Sequence, residues 1–242
     1  MDITIVATAE DIGHAVAQHV AIALRQQPDL VLGVPAGRTP VPVYAELGRL
    51  HAAGAIDFSQ ATAFAVDEFV GISRTHQGSF HRFISERFLA GVNLPMDRFY
   101  SLNGTAGNLD EECAEYDIAV TKAGGVGLQL LGIGANGHIG FNEPGTELIA
   151  HTHRVKLLDA TRRANAPLFD GDETRVPREA LTMGLGTMLK AQAVILIATG
   201  YGKAEVIERL VRGPITTQLP ASLLQTHRRV DVYLDRAAAS RL

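Results

Sequence analysis

Residues 130 to 145 read Leu130-Leu131-Gly132-Ile133-Gly134-Ala135-Asn136-Gly137-His138-Ile139-Gly140-Phe141-Asn142-Glu143-Pro144-Gly145. The apolar run from Val126 to Ile133 predicts a buried strand, and it breaks into glycines at Gly132, Gly134 and Gly137 where polar groups arrive. An α/β sheet presents chemistry in this way at its carboxyl edge. Asn136, His138 and Glu143 bring an amide, an imidazole and a carboxylate within eight residues. An imidazole titrates near neutral pH, and a neighbouring carboxylate orients the ring and supports its cationic form.

Outward from this centre, strands and helices alternate. Leu30 to Val34 predicts a strand buried on both faces, running into Pro35-Ala36-Gly37-Arg38-Thr39-Pro40 and then a helix with Val43, Leu47 and Leu50 on one side. Thr39 is expected as the N-cap and Pro40 as the first helical residue, so free N–H groups open at the sheet edge, where phosphate can bind. The same residues also suit an ordinary strand-to-helix turn. Phe58 to Val66 predicts the next strand, ending in Val66-Asp67-Glu68-Phe69. Paired acids there suit a solvated turn, or a base if the neighbouring loops bind ligand.

Further strands are expected at Thr4 to Ala7, Arg98 to Leu102, Ala193 to Ala198 and Val230 to Leu234. Helices are expected after Thr8, after Ser79, from Asn108 and over Ala180 to Leu189. Thr199-Gly200-Tyr201-Gly202 turns the chain into a helix near Lys203, whose ammonium suits either solvent or a phosphate. The alternation predicts one domain, residues 1 to 242, of α/β class: a Rossmann-like three-layer sandwich around a mainly parallel sheet. Thr146 to Arg178 is polar and rich in turn residues. A long irregular segment beside an active-site strand points to a lid at about 146 to 178. Within it, His151-x-His153 lacks a third metal ligand at suitable spacing and is read as solvated.

Composition limits the function classes. Of 242 residues, 46% are hydrophobic and 20% charged, as in a globular protein with a full core. The formal net charge of −4 and the absence of basic runs disfavour nucleic acid as partner. No apolar run reaches membrane-spanning length and the first residues do not resemble a signal peptide, so the expected location is cytoplasmic. The single cysteine, Cys113, excludes an intramolecular disulfide and a cysteine-based zinc site within the chain.

The string Gly-Ile-Gly-x-Asn-Gly-His-Ile-Gly-Phe-Asn-Glu-Pro-Gly resembles the signature of the glucosamine-6-phosphate deaminases, also called isomerases, and the resemblance runs nearly end to end. It implies conversion of glucosamine 6-phosphate and water to fructose 6-phosphate and ammonia by acid–base catalysis, classed here as a hydrolase reaction, without metal or redox cofactor. Through it Asp67, the first acid of an Asp-Glu-Phe motif, is implied as the proton-transfer base. His138 is implied in ring opening, with Glu143 orienting it and Asn136 standing where several relatives carry aspartate. Gly37, Arg38, Thr39 and Lys203 match the phosphate-binding motifs. Ala36 departs from a family threonine, and Pro167 from a lid arginine that contacts phosphate in many relatives. The short C-terminus, beside the extended one of the hexameric branch, implies a monomer or small homo-oligomer. Alternatives are the galactosamine 6-phosphate epimer, a 6-phosphogluconolactonase, and a sugar-phosphate-sensing domain.

Overall fold

The computed structural model describes residues 1 to 242. Seven parallel strands form the main sheet: β1 (Asp2–Val6), β2 (Val31–Val34), β3 (Thr62–Ala65), β5 (Phe99–Tyr100), β6 (Leu128–Gly132), β9 (Ala193–Ala198) and β10 (Val230–Asp235). Their order is β1-β10-β9-β6-β2-β3-β5. From β2 the chain moves outward through β3 and β5, and from β6 it moves the other way through β9 and β10. The direction therefore reverses between β2 and β6, and the loops leaving these two strands diverge there to open a crevice.

Helices cover both faces. On one side α1 (Ala9–Gln26), α2 (Val41–Ala52) and α3 (Phe80–Arg87) bury Val16, Leu47 and Ile84 against Leu32, Leu130 and Ile195. On the other, α4 (Leu109–Lys122) and α7 (Ala204–Arg212) bury Cys113, Tyr116 and Ile207 against Phe64, Leu131 and Leu196. Adjacent strand residues point to opposite faces, which is how the apolar run Leu130-Leu131 serves both cores. The α/β sandwich expected from the sequence is present. No helix is long and apolar enough to cross a membrane.

A second sheet, which sequence reading did not anticipate, has the antiparallel order β4-β8-β7, with β4 at Asp67–Phe69, β7 at His153–Lys156 and β8 at Glu179–Thr182. Three expectations change because of it. The strand expected over Phe58 to Val66 shortens to Thr62–Ala65, and Asp67 opens the small sheet, paired with Thr182. Val66 joins the sheets, donating its N–H to Val34 O at 3.1 Å and accepting from Met183 N at 2.8 Å. The expected helix over Ala180 to Leu189 is instead β8 followed by α6 (Leu185–Leu189). Its first residues have partners on both sides, and this pairing overrides local helical preference. The segment expected to be irregular holds β7, α5 (Asp159–Asn165) and two short 3-10 turns.

Local signals set the helix starts elsewhere. Thr8 and Asp11 form a reciprocal capping box on α1, Ser79 accepts from Arg82 N on α3, and Asn108 caps α4. The exception is α2. Pro40 adopts helical angles as its cap residue without a side-chain cap bond, so Thr39 is not the N-cap. Pro42, in the first turn, has no N–H to be capped.

Candidate active site

A cavity of about 560 Å³ lies over the crevice between β2 and β6. Its wall includes seven of the eight residues picked from the sequence: Gly37, Arg38 and Thr39 from the β2–α2 loop, Asp67 from β4, Asn136 and His138 from the loop after β6, and Lys203 from the turn after β9. The eighth, Glu143, sits behind His138, with its Oε2 3.3 Å from His138 Nδ1. Residues separated by more than 160 positions in sequence thus share one wall.

Backbone geometry fixes the loops. Gly37 has φ +98°, a left-handed conformation that favours glycine, and turns the chain under the cavity. At Gly134 the constraint is contact, since a Cβ there would lie 2.4 Å from the His138 ring. The imidazole can therefore lie flat against this backbone only because residue 134 has no side chain.

Around His138 the polar groups interlock. Asn136 Nδ2 donates to Glu143 Oε2 at 2.8 Å, while its Oδ1 accepts from His138 N at 3.2 Å. Glu143 Oε1 accepts from Leu158 N at 3.2 Å. Burial raises the pKa of Glu143, but the hydrogen bond and charge of His138, with the contacts of Thr161 and Asn136, outweigh it, and the carboxyl lies below its ordinary value. Glu143 is thus held as an anion against the ring.

Asp67 has the opposite environment. It is 6% exposed, and burial followed by the charge of Glu68 pushes its pKa well above the ordinary aspartate value. Its carboxyl borders the cavity without the bonds that quiet its neighbour. Glu68 accepts from Phe69 N, Ser79 Oγ, Phe80 N and His81 N at 2.8, 2.7, 3.1 and 3.0 Å. Burial still raises Glu68, and those four bonds draw it partly back. The adjacent acids divide the work: Glu68 anchors the start of α3 to β4, and Asp67 faces the cavity.

The cationic side has two members. Lys203 Nζ donates to Ile133 O at 2.6 Å, and burial, followed by the nearby Arg38 charge, lowers its pKa. Its turn is fixed by Gly200 N, which donates to the Asp235 carboxylate at 2.9 Å from the end of β10. Arg38 is exposed at the cavity rim. Two cations and the free N–H groups of a loop make this end of the cavity suited to an anion.

Segment 146 to 178, expected as a lid, supplies lining residues that no sequence pattern singled out. Ala160, Thr161, Ala164 and Asn165 of α5 line the cavity. Arg162 and Arg163 of the same helix turn back on the segment itself, with Arg162 donating to Glu173 O at 2.9 Å and Arg163 3.9 Å from Glu173. Pro167 falls in the first turn of a 3-10 helix, Ala166–Phe169. Phe169 packs edge-on against Phe69, which also meets Phe80 and Phe141, so an aromatic cluster ties the segment to the floor of the site. No local pattern marked Thr161, because its partner lies 23 residues away.

Comparison with known proteins identifies the family and supports the fold. A family model described as glucosamine-6-phosphate isomerases/6-phosphogluconolactonase matches residues 4–233. The chain is 43% identical to a glucosamine-6-phosphate deaminase of Clostridium perfringens over 233 residues, 96% of each chain. It is also 43% identical to one of Streptomyces coelicolor, covering 100% of this chain and 93% of the relative. Among solved structures, a monomeric glucosamine-6-phosphate deaminase superposes with a TM-score of 0.97 at 38% identity, covering 100% of both chains. With nearly its whole length matched by the family model and by these relatives, the chain belongs to the family of glucosamine-6-phosphate isomerases and 6-phosphogluconolactonases.

Proposed function

We propose that this protein is a glucosamine-6-phosphate deaminase, converting glucosamine 6-phosphate and water to fructose 6-phosphate and ammonia. The observation that carries the reading is the shared cavity, with a buried carboxyl whose basicity is raised and a carboxylate-paired imidazole on the same wall as a loop and lysine suited to an anion. The phosphate is held by the loop Gly37 to Thr39 and by Lys203, with Arg38 adding charge at the rim. His138 moves a proton from the anomeric hydroxyl to the ring oxygen, opening the sugar, while Glu143 and Asn136 hold the imidazole in place. Asp67, as its carboxylate, takes the C2 proton while the substrate's ammonium gives one to the C1 carbonyl oxygen, forming an enolamine, and it returns its proton at C1 to leave an imine at C2. Water then adds to the C2 imine, and ammonia leaves. The reaction is an isomerisation in its middle step and a hydrolysis in its last.

Segment 146 to 178 is the lid in this reading, with α5 closing one side of the cavity. The chain acts as a monomer on a small amino-sugar phosphate, so it should elute at the volume of a 25.9 kDa globular protein. The decisive assay measures ammonia and fructose 6-phosphate release from glucosamine 6-phosphate, beside galactosamine 6-phosphate and with Asp67→Asn as control. Release from the gluco sugar, lost in the variant, is the expected outcome. Release from the galacto sugar alone would keep the catalytic roles and change the substrate, and silence with both would overturn the proposal.

A further inference from the structure

Thr161 Oγ1 lies 3.4 Å from His138 Nδ1, and the residue is only 2% exposed. This hydroxyl comes from α5 in segment 146 to 178, whereas every other polar group around the ring comes from the loop that carries it. Glu143 Oε2 approaches the same nitrogen at 3.3 Å. Nδ1 thus faces two oxygens, each at the long end of hydrogen-bonding distance. A hydroxyl offers one proton and two lone pairs, so Thr161 can accept from Nδ1–H while its own proton turns toward the carboxylate. The start of α5 is tied to that carboxylate as well, through Leu158 N at 3.2 Å from Oε1.

We propose that Thr161 is a positioning residue for His138: its hydroxyl helps hold the imidazole with the proton on Nδ1 and leaves Nε2 for the ligand. Because Thr161 sits on α5, the orientation of the proton carrier then depends on how segment 146 to 178 is seated over the cavity. The Gly134 backbone supports one face of the ring, and two oxygens from different elements bracket Nδ1 at its edge. The catalytic consequence rests on the proposed role of His138, but the orientation of the ring does not.

The test uses Thr161→Val, which keeps the shape and removes the hydroxyl, and Thr161→Ser, which keeps the hydroxyl and removes a methyl. In 15N-labelled full-length protein, with His138→Gln identifying the resonance, the wild type and the serine variant should show the Nδ1–H tautomer and the valine variant a mixture. Turnover of glucosamine 6-phosphate should fall about tenfold in kcat for valine, with KM within about twofold, and recover in serine. Unchanged His138 resonances in Thr161→Val, or an equal loss in both variants, would overturn the proposal by reducing Thr161 to packing. If the valine variant does not fold, Thr161→Ala removes the same hydroxyl and is read in the same way. If wild type releases no ammonia, the functional reading fails, and the tautomer measurement still decides the role of Thr161.

Discussion

At Asp67 and His138, environment and chemistry can be separated by substitution. An aspartate whose pKa is raised by folding keeps its proton to higher pH in the folded chain than in the unfolded one. Folding therefore benefits most below the ordinary aspartate value of about 3.9 and loses stability as pH climbs through the window above it. Removing the carboxyl removes that cost. Asp67→Asn should melt a few degrees above wild type at pH 8, with the gap closing toward pH 4, while turnover falls at least about a hundredfold. Thermal melts across pH check the first part; equal melting at both ends would mean that the carboxyl is not strained by burial. His138→Gln should lower kcat by about 10² to 10⁴ with little change in melting, and near-normal turnover of the closed sugar would refute its role in ring opening.

Among the elements, α3 depends on a residue outside it. Glu68 on β4 accepts from Ser79 Oγ, Phe80 N and His81 N, so a strand of the small sheet holds the first turn of this helix. Glu68→Ala would strand these buried donors, each worth about 1 to 3 kcal/mol when unpaired, and should destabilise the protein by at least about 3 kcal/mol in urea unfolding. A loss below 1 kcal/mol would show that water replaces the carboxylate. The same change should lower activity, because Asp67 precedes Glu68 on a strand of only three residues. In sequence, only the resemblance to a family motif separated Asp67 from Glu68; composition and spacing did not. The physical cause is tertiary: β4 pairing with β8 and the approach of α3 decide which acid is tied and which faces the cavity.

For the whole molecule, the parallel topology determines where an anion can sit. The loops after β2, β6 and β9 leave the same sheet edge, and they bring Gly37, Ile133 and Lys203 to one cavity. Lys203→Met should raise KM for glucosamine 6-phosphate by tenfold or more and weaken inhibition by inorganic phosphate in parallel, with a smaller effect on kcat, since the contact is the same in ground and transition states. An unchanged KM would move the phosphate away from this end of the cavity. Because the arginines of α5 bond within segment 146 to 178, the cations nearest the anion site belong to the β2–α2 loop and the β9–α7 turn.

The sequence by itself determined the α/β class, a central strand within Val126 to Ile133, the caps of α1, α3 and α4, and the polar residues 136 to 143. Each of these depends on local forces: apolar runs seek burial, capping side chains reach three residues, and glycines mark tight turns. It also pointed to Gly37, Asp67 and Lys203, through motifs whose meaning came from resemblance. Tertiary structure alone decided that Asp67 begins a second sheet, that Ala180 to Thr182 is a strand, that Thr39 caps no helix, and that Thr161 meets His138. These outcomes depend on partners distant in sequence, such as Thr182 for Asp67, and no local periodicity encodes which distant backbone or side chain will be adjacent once the core has closed.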